Sequence, residues 1–158
     1  MKLMSTAFDL DAFLPYRLSV ASNLVSRLFA RRYAEEFGLT IAEWRVIAVL
    51  GADGTATASA VRARTGMDKA KVSRAVAGLE ARGLIRHVAH RGDRRLDPLA
   101  LSAAGRRILD AIVPRARALE TELFAALPPG TREAMETALR AIADRATVMG
   151  AGPGDGPD

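Results

Sequence analysis

The sequence predicts a mainly α-helical protein that carries one small β-hairpin. Three observations lead there. Apolar residues recur at alternating spacings of four and three in three long segments, the mark of a one-sided helix. Gly, Ser, Thr and Asp punctuate the chain at helix-length intervals. One short stretch, residues 84–101, has strand character around a Gly92-Asp93 turn.

Residues 1–9 read as a flexible lead-in. Residues 10–37 read as a helix, with Leu14, Leu18, Ala21, Val25 and Leu28 on one stripe and Arg17, Arg27, Arg31 and Arg32 mostly off it. Gly38 ends it. Thr40 and Glu43 have capping-box spacing, in which each side chain satisfies the other's orphan amide. The helix they start carries Trp44, Val46, Ile47, Val49 and Leu50 and is expected to stop at Gly51, with residues 51–54 a turn. Thr57 caps a short helix to about Thr65, and Gly66 breaks it. Asp68 caps a longer helix to about Arg82, which Gly83 ends. Its inward stripe is Val72, Val76 and Leu79. Lys69, Ala70, Lys71, Ser73, Arg74 and Ala77 fall on the other faces, so the outward residues near its start are small or cationic.

Residues 84–89 form the first hairpin strand and residues 91–95 its tip. Residues 98–101 return, and Pro98 fits only at a strand start or edge. Ser102 caps a long helix through Leu127, with Ile108, Ile112, Ala116, Leu119 and Leu123 as its stripe. Residues 128–130 break it. Thr131 opens a last helix striped by Met135, Leu139, Ile142, Ala146 and Met149. Residues 150–158, rich in Gly, Pro and Asp, read as a disordered tail.

Composition narrows the function. The 158 residues suit one domain, residues 10–149, and 49% hydrophobic content can fill a core. With no cysteine, disulfides, thiol nucleophiles and Cys-type zinc sites are excluded. No signal-peptide pattern follows Lys2, and no stretch approaches the ~18 apolar residues of a membrane span. A soluble, cytoplasmic protein with no membrane partner is expected. The net charge is +5, and residues 57–95 hold ten Lys/Arg against three acids, so the remainder is net negative. Such clustering suits a phosphate backbone, which releases counterions when neutralised; a merely solvated basic surface is the plainer alternative. Evidence for an enzyme is thin. His87 and His90, both in the first strand, read as partly exposed strand residues rather than joint metal ligands, and no phosphate loop or nucleophile constellation is present. No catalytic residue, metal or cofactor is expected.

Helix, tight turn, helix and an Arg-rich hairpin form a winged helix-turn-helix. Here the chain resembles the MarR family of bacterial regulators. The residues that carry the resemblance are LTIAEWRVIAVL at 39–50, TGMDKAKVSR at 65–74, LEARGLI at 79–85, GDRR at 92–95, LALS at 99–102 and Gly105. It covers residues 10–149. Ser102 stands where the family usually has Thr, and Asp97-Pro98 in the return strand is an unusual pair. The resemblance implies a winged helix-turn-helix lobe at 40–101, with N- and C-terminal dimerisation helices at 10–37 and 102–149. It also implies a homodimer on a pseudopalindromic operator. Surplus apolar stripes on three long helices agree with a partner of that kind.

The helix after Asp68 is expected to enter the major groove N-terminus first. Lys69, Lys71, Ser73 and Arg74 are the contact candidates, since Arg grips guanine bidentately while Ser and Lys reach base or phosphate. The alternatives are an ion pair of Arg74 with Glu80 or a neighbour and a solvated face for the lysines. At the hairpin tip, Arg94 and Arg95 suit a narrow minor groove. The family pattern pairs Asp93 with Arg95, with Asp93 bracing the wing; a salt bridge without a DNA role is the alternative. The resemblance also implies repression relieved by a small aromatic or carboxylated effector. Phe13, Tyr16, Arg17, Trp44 and Arg45 could line such a pocket; equally, Trp44 is core and the two arginines form structural ion pairs. An adaptor that binds protein rather than DNA is the competing function.

Overall fold

Local capping sets most helix boundaries in the computed structural model. It describes residues 8–89 and 97–150, without the side chains of residues 34 and 35. The elements are α1 (Leu14–Glu36), α2 (Ile41–Asp53), β1 (Thr55–Ala56), α3 (Ala58–Thr65), α4 (Lys69–Ala81), β2 (Ile85–His87), β3 (Leu99–Leu101), α5 (Ala103–Ala125) and α6 (Thr131–Gly150). The fold is thus mainly helical with a small antiparallel sheet, as the sequence predicts. The chain divides into two compact units, residues 1–114 and 115–158. The division falls just after Pro114 inside α5, where the ring removes one helical N–H.

In the first unit, Thr40 and Glu43 close their capping box: the Thr40 amide donates to Glu43 Oε2 at 2.8 Å and the Glu43 amide to Thr40 Oγ1 at 3.2 Å. Thr57 caps α3 through the Ala60 amide and Asp68 caps α4 through the Lys71 amide. Ser102 accepts from the Gly105 amide at 3.1 Å and donates to the Gly83 carbonyl at 2.7 Å, tying the start of α5 to the end of α4. The core gathers Leu39, Val46, Ile47, Leu50, Val61, Val72, Leu79, Leu99 and Ile112, all essentially inaccessible. Burying such side chains contributes about 1.5–3 kcal/mol each. Arg82 adds a polar clamp across the lobe, donating to the carbonyls of Phe37 and Gly38 at 2.8 Å each.

Four sequence expectations shift. The first helix starts at Leu14 rather than Leu10, because the Asp9 carboxylate holds the Asp11 and Ala12 amides in a turn and Pro15 favours a first helical turn. The second helix runs through Gly51 to Asp53 and ends at Gly54. Gly51 is there for space: a Cβ would lie 2.3 Å from Leu109 Cδ2. The inward face of α4 is Val72, Ala75 and Leu79, with Val76 only half-buried. Finally, the sheet has a third strand that the sequence does not announce. β1 pairs antiparallel with β3, giving the order β1-β3-β2, with Thr55 opposite Ala100 and His87 opposite Leu99. The hairpin continues one rung further, with the Val88 amide donating to the Pro98 carbonyl.

The second unit comprises the end of α5 and α6, joined by an Arg132–Glu120 ion pair at 3.2 Å. Within α6, Met135, Leu139, Ile142 and Met149 are exposed and no residue is buried. In the first unit, the α1 stripe is likewise open, with Leu14 71% and Leu18 40% exposed.

At Gly105 a Cβ would lie 2.0 Å from the Leu84 carbonyl oxygen, a backbone atom that cannot step aside. Gly105→Ala is expected to destabilise the protein by about 2 kcal/mol, the usual scale for overpacking. Urea unfolding at fixed protein concentration checks this.

Candidate nucleic-acid interface

The seating of α4 decides which of its residues face outward. With Val72, Ala75 and Leu79 buried, helical geometry leaves Lys69, Lys71, Ser73 and Arg74 exposed. The preceding turn is tight: α3 ends at Gly66 in a left-handed conformation, φ 67°, and α4 begins at Lys69. This is the geometry of a helix-turn-helix, with α4 in the recognition position.

The N-terminus of α4 is not an open anion site. Asp68 already occupies it, accepting the Lys71 amide at 2.8 Å, and its other oxygen lies 3.4 Å from Lys71 Nζ. The backbone hydrogen bond, followed by the Lys71 and Arg74 charges, holds the Asp68 carboxyl below its usual pKa. That contribution is present above the ordinary carboxylate range and is lost as pH falls through the depressed value. Arg74 does not take Glu80 as its partner, because Glu80 pairs with His87. Arg62 of α3, which the sequence reading did not single out, lines a shallow recess of about 320 Å³ with Ser59 and Gly66. Its neighbour Arg64 is paired with Asp53 at 3.5 Å. The hairpin-tip candidates Asp93, Arg94 and Arg95, together with His90, lie outside the described residues.

Of the candidate effector residues, Phe13, Tyr16, Arg17 and Trp44 do not line the cavity that Arg45 faces. Phe13 precedes α1 and packs edge-on against Phe8, ring centroids 5.2 Å apart; Tyr16 and Arg17 are exposed on the first turns of α1. Trp44 stacks on Tyr33 at 4.8 Å, beside Phe29, as part of a cluster joining α1 to α2. Tyr33 is buried, its hydroxyl has no hydrogen-bond partner among the described residues, and burial pushes its pKa up to about 12. Arg45 does face a cavity, of about 620 Å³, and its Nη2 lies 3.5 Å from Ser26 Oγ. Its other walls are unexpected: Asn23 and Ser26 from α1, and Met67, Lys71 and Arg74 from the turn and α4. No periodicity signals this cavity, since it is assembled from three separate helices.

A compact helix-turn-helix, a three-stranded wing sheet and a cationic recognition helix together define a DNA-binding transcription regulator. Residues 37–96 match the sequence profile of the MarR family. A MarR family regulator from Silicibacter pomeroyi is 29% identical over 88% of this chain and 98% of its own, with a TM-score of 0.76. Bordetella bronchiseptica BpsR, described as regulated in its DNA binding by 6-hydroxynicotinic acid, is 26% identical over 87% of this chain and 97% of its own, with a TM-score of 0.77. A MarR/EmrR family regulator from Acinetobacter, 22% identical, shares the fold at a TM-score of 0.81 over 89% of this chain and 99% of its own. No curated protein sequence matches. Residues 37–96 thus match the MarR family, and the chain shares the fold of MarR family transcriptional regulators.

A phosphate at Lys71 would have to compete with Asp68, which already pairs with it. Asn caps a helix as well as Asp does, so Asp68→Asn is expected to keep the fold and tighten DNA binding several-fold at low salt. Fluorescence anisotropy of a labelled duplex at fixed pH and ionic strength reads the change.

Proposed function

We propose that this regulator is a homodimeric, cytoplasmic repressor that sits on a pseudopalindromic operator and is released by a small aromatic or carboxylated effector. In each protomer the start of α4 enters the major groove. Arg74 reads a base edge, Lys69, Lys71 and Ser73 hold base or phosphate, and Arg94 and Arg95 enter the minor groove with Asp93 bracing the wing. The uncovered apolar faces of α1 and of α6 each support a partner subunit, because exposed stripes of that length are costly in a monomer.

The observation that carries the effector reading is the composition of the Arg45 cavity. Two of its wall residues, Lys71 and Arg74, are also DNA-contact candidates. An anion held by Arg45 between them draws on the charge that phosphate needs, so effector and operator compete. That BpsR is described as regulated by an aromatic acid supports the ligand class. The effector site therefore centres on Arg45 with Lys71 and Arg74, and Phe13, Tyr16, Arg17 and Trp44 take no part in its walls.

The test is anisotropy of a labelled operator selected from source DNA. Arg74→Ala is expected to weaken binding by about 1–3 kcal/mol, the scale of one bidentate Arg–guanine contact. Benzoate and hydroxybenzoates are expected to release the wild type at lower concentration than Arg45→Ala. Unchanged operator affinity in Arg74→Ala contradicts the groove assignment. Equal release of wild type and Arg45→Ala contradicts the cavity.

A further inference from the structure

At the base of the wing, one histidine ring joins three elements. His87 ends β2, and its Nδ1 lies 2.5 Å from Asp97 Oδ1, just ahead of β3. Its Nε2 is ion-paired with Glu80 on α4. We propose that His87 is a positioning residue for DNA binding: its imidazolium bridges Glu80 and Asp97, fixes both hairpin strands to the recognition helix, and so makes operator affinity depend on the charge of this ring.

The argument is one of valence. A neutral imidazole carries a single N–H and can donate to one carboxylate only, leaving the other facing a lone pair. Protonated, the ring donates at both nitrogens and both carboxylates are satisfied. The carboxylates sit on opposite ring nitrogens, so the three groups form a bridge and not a chelate. Among the described residues, the ionisable groups facing the ring are these two. α3 presents Thr57, Ala58 and Ser59 to the adjoining recess, α4 presents Val76 and β3 presents Leu99, none of which titrates. Arg86 alternates to the other strand face.

The hydrogen bond with Asp97 raises the His87 pKa above its ordinary 6.5; desolvation opposes it, and the Asp97 and Glu80 charges add to the rise. With a raised value, the bridge is complete below 6.5 and is lost as pH climbs through the raised pKa. Operator affinity therefore falls with rising pH in the window above 6.5. The ring is half exposed, with 50% of its side chain accessible, which keeps the proton in exchange with solvent and lets substitutions leave the core intact.

The inference rests on the wing contributing to DNA binding. Operator affinity is measured for the full chain between pH 5.5 and 8.5 at constant ionic strength, with circular dichroism as a check on folding. The wild type is expected to weaken about three- to ten-fold across the range. His87→Gln, which cannot titrate, is expected to be weak and pH-independent. His87→Arg, permanently charged and able to reach two carboxylates, is expected to be tight and pH-independent. Asp97→Asn separates the bridge from a direct attraction between His87 and phosphate. Removing an acid strengthens DNA binding if charge alone matters, whereas loss of the bridge weakens it at pH 6. A wild-type pH slope surviving in His87→Gln, or tighter binding by Asp97→Asn at pH 6, would overturn the proposal. Absence of operator binding at every pH overturns this proposal together with the DNA-contact reading on which it rests.

Discussion

The packing of α4 against α2 is the constraint on which the rest of the lobe depends. α2 contributes Val46, Ile47, Val49 and Leu50 to the core, and α4 contributes Val72, Ala75 and Leu79. Because a helix is rigid, burying that face fixes the direction of every other residue on it. Lys69, Lys71, Ser73 and Arg74 thus face outward together. The same seating brings Lys71 and Arg74 to the cavity that Arg45 lines, and Glu80 to His87. Recognition surface, cavity and wing bridge are three consequences of one buried stripe.

The electrostatics add a second layer. Asp68 stabilises α4 by capping it, yet holds a negative charge beside Lys71 and Arg74. If α4 meets DNA as proposed, the cap is held at some cost to that attraction, and phosphate would have to displace an internal partner. A cavity anion and DNA would draw on the same two cations, and this offers a short route from effector to operator. The His87 bridge acts at the other end of the same helix. On the proposed reading, charge near the start of α4 would tune affinity directly, whereas charge near its end would work through the placement of the hairpin.

What the sequence made legible was local. The Thr40–Glu43 box and the caps at Thr57, Asp68 and Ser102 depend on residues within three positions of one another, and each forms as read. The mainly helical fold with its hairpin follows from those caps and the apolar stripes between them. What stayed hidden depends on distant pairs. Gly51 looks like a stop signal until Leu109 is seen against it. β1 has two residues and exists only because β3 lies alongside. Glu80 is a plausible partner for Arg74 on one helix, but His87 claims it from a strand. The candidate site divides the same way. The outward residues of α4 followed from helical periodicity, while the cavity needed three helices to meet, which no local pattern announces.

The central claim is that the outward cations of α4 are the surface that meets DNA. Salt dependence tests it most directly, because each phosphate neutralised contributes about −0.9 to the slope of log affinity against log salt. If a dimer uses Lys69 and Lys71 from both protomers, replacing both lysines with Ala should make that slope shallower by about 3 to 4. An unchanged slope in the doubly substituted, folded protein would contradict the account and place the DNA contact elsewhere on the molecule.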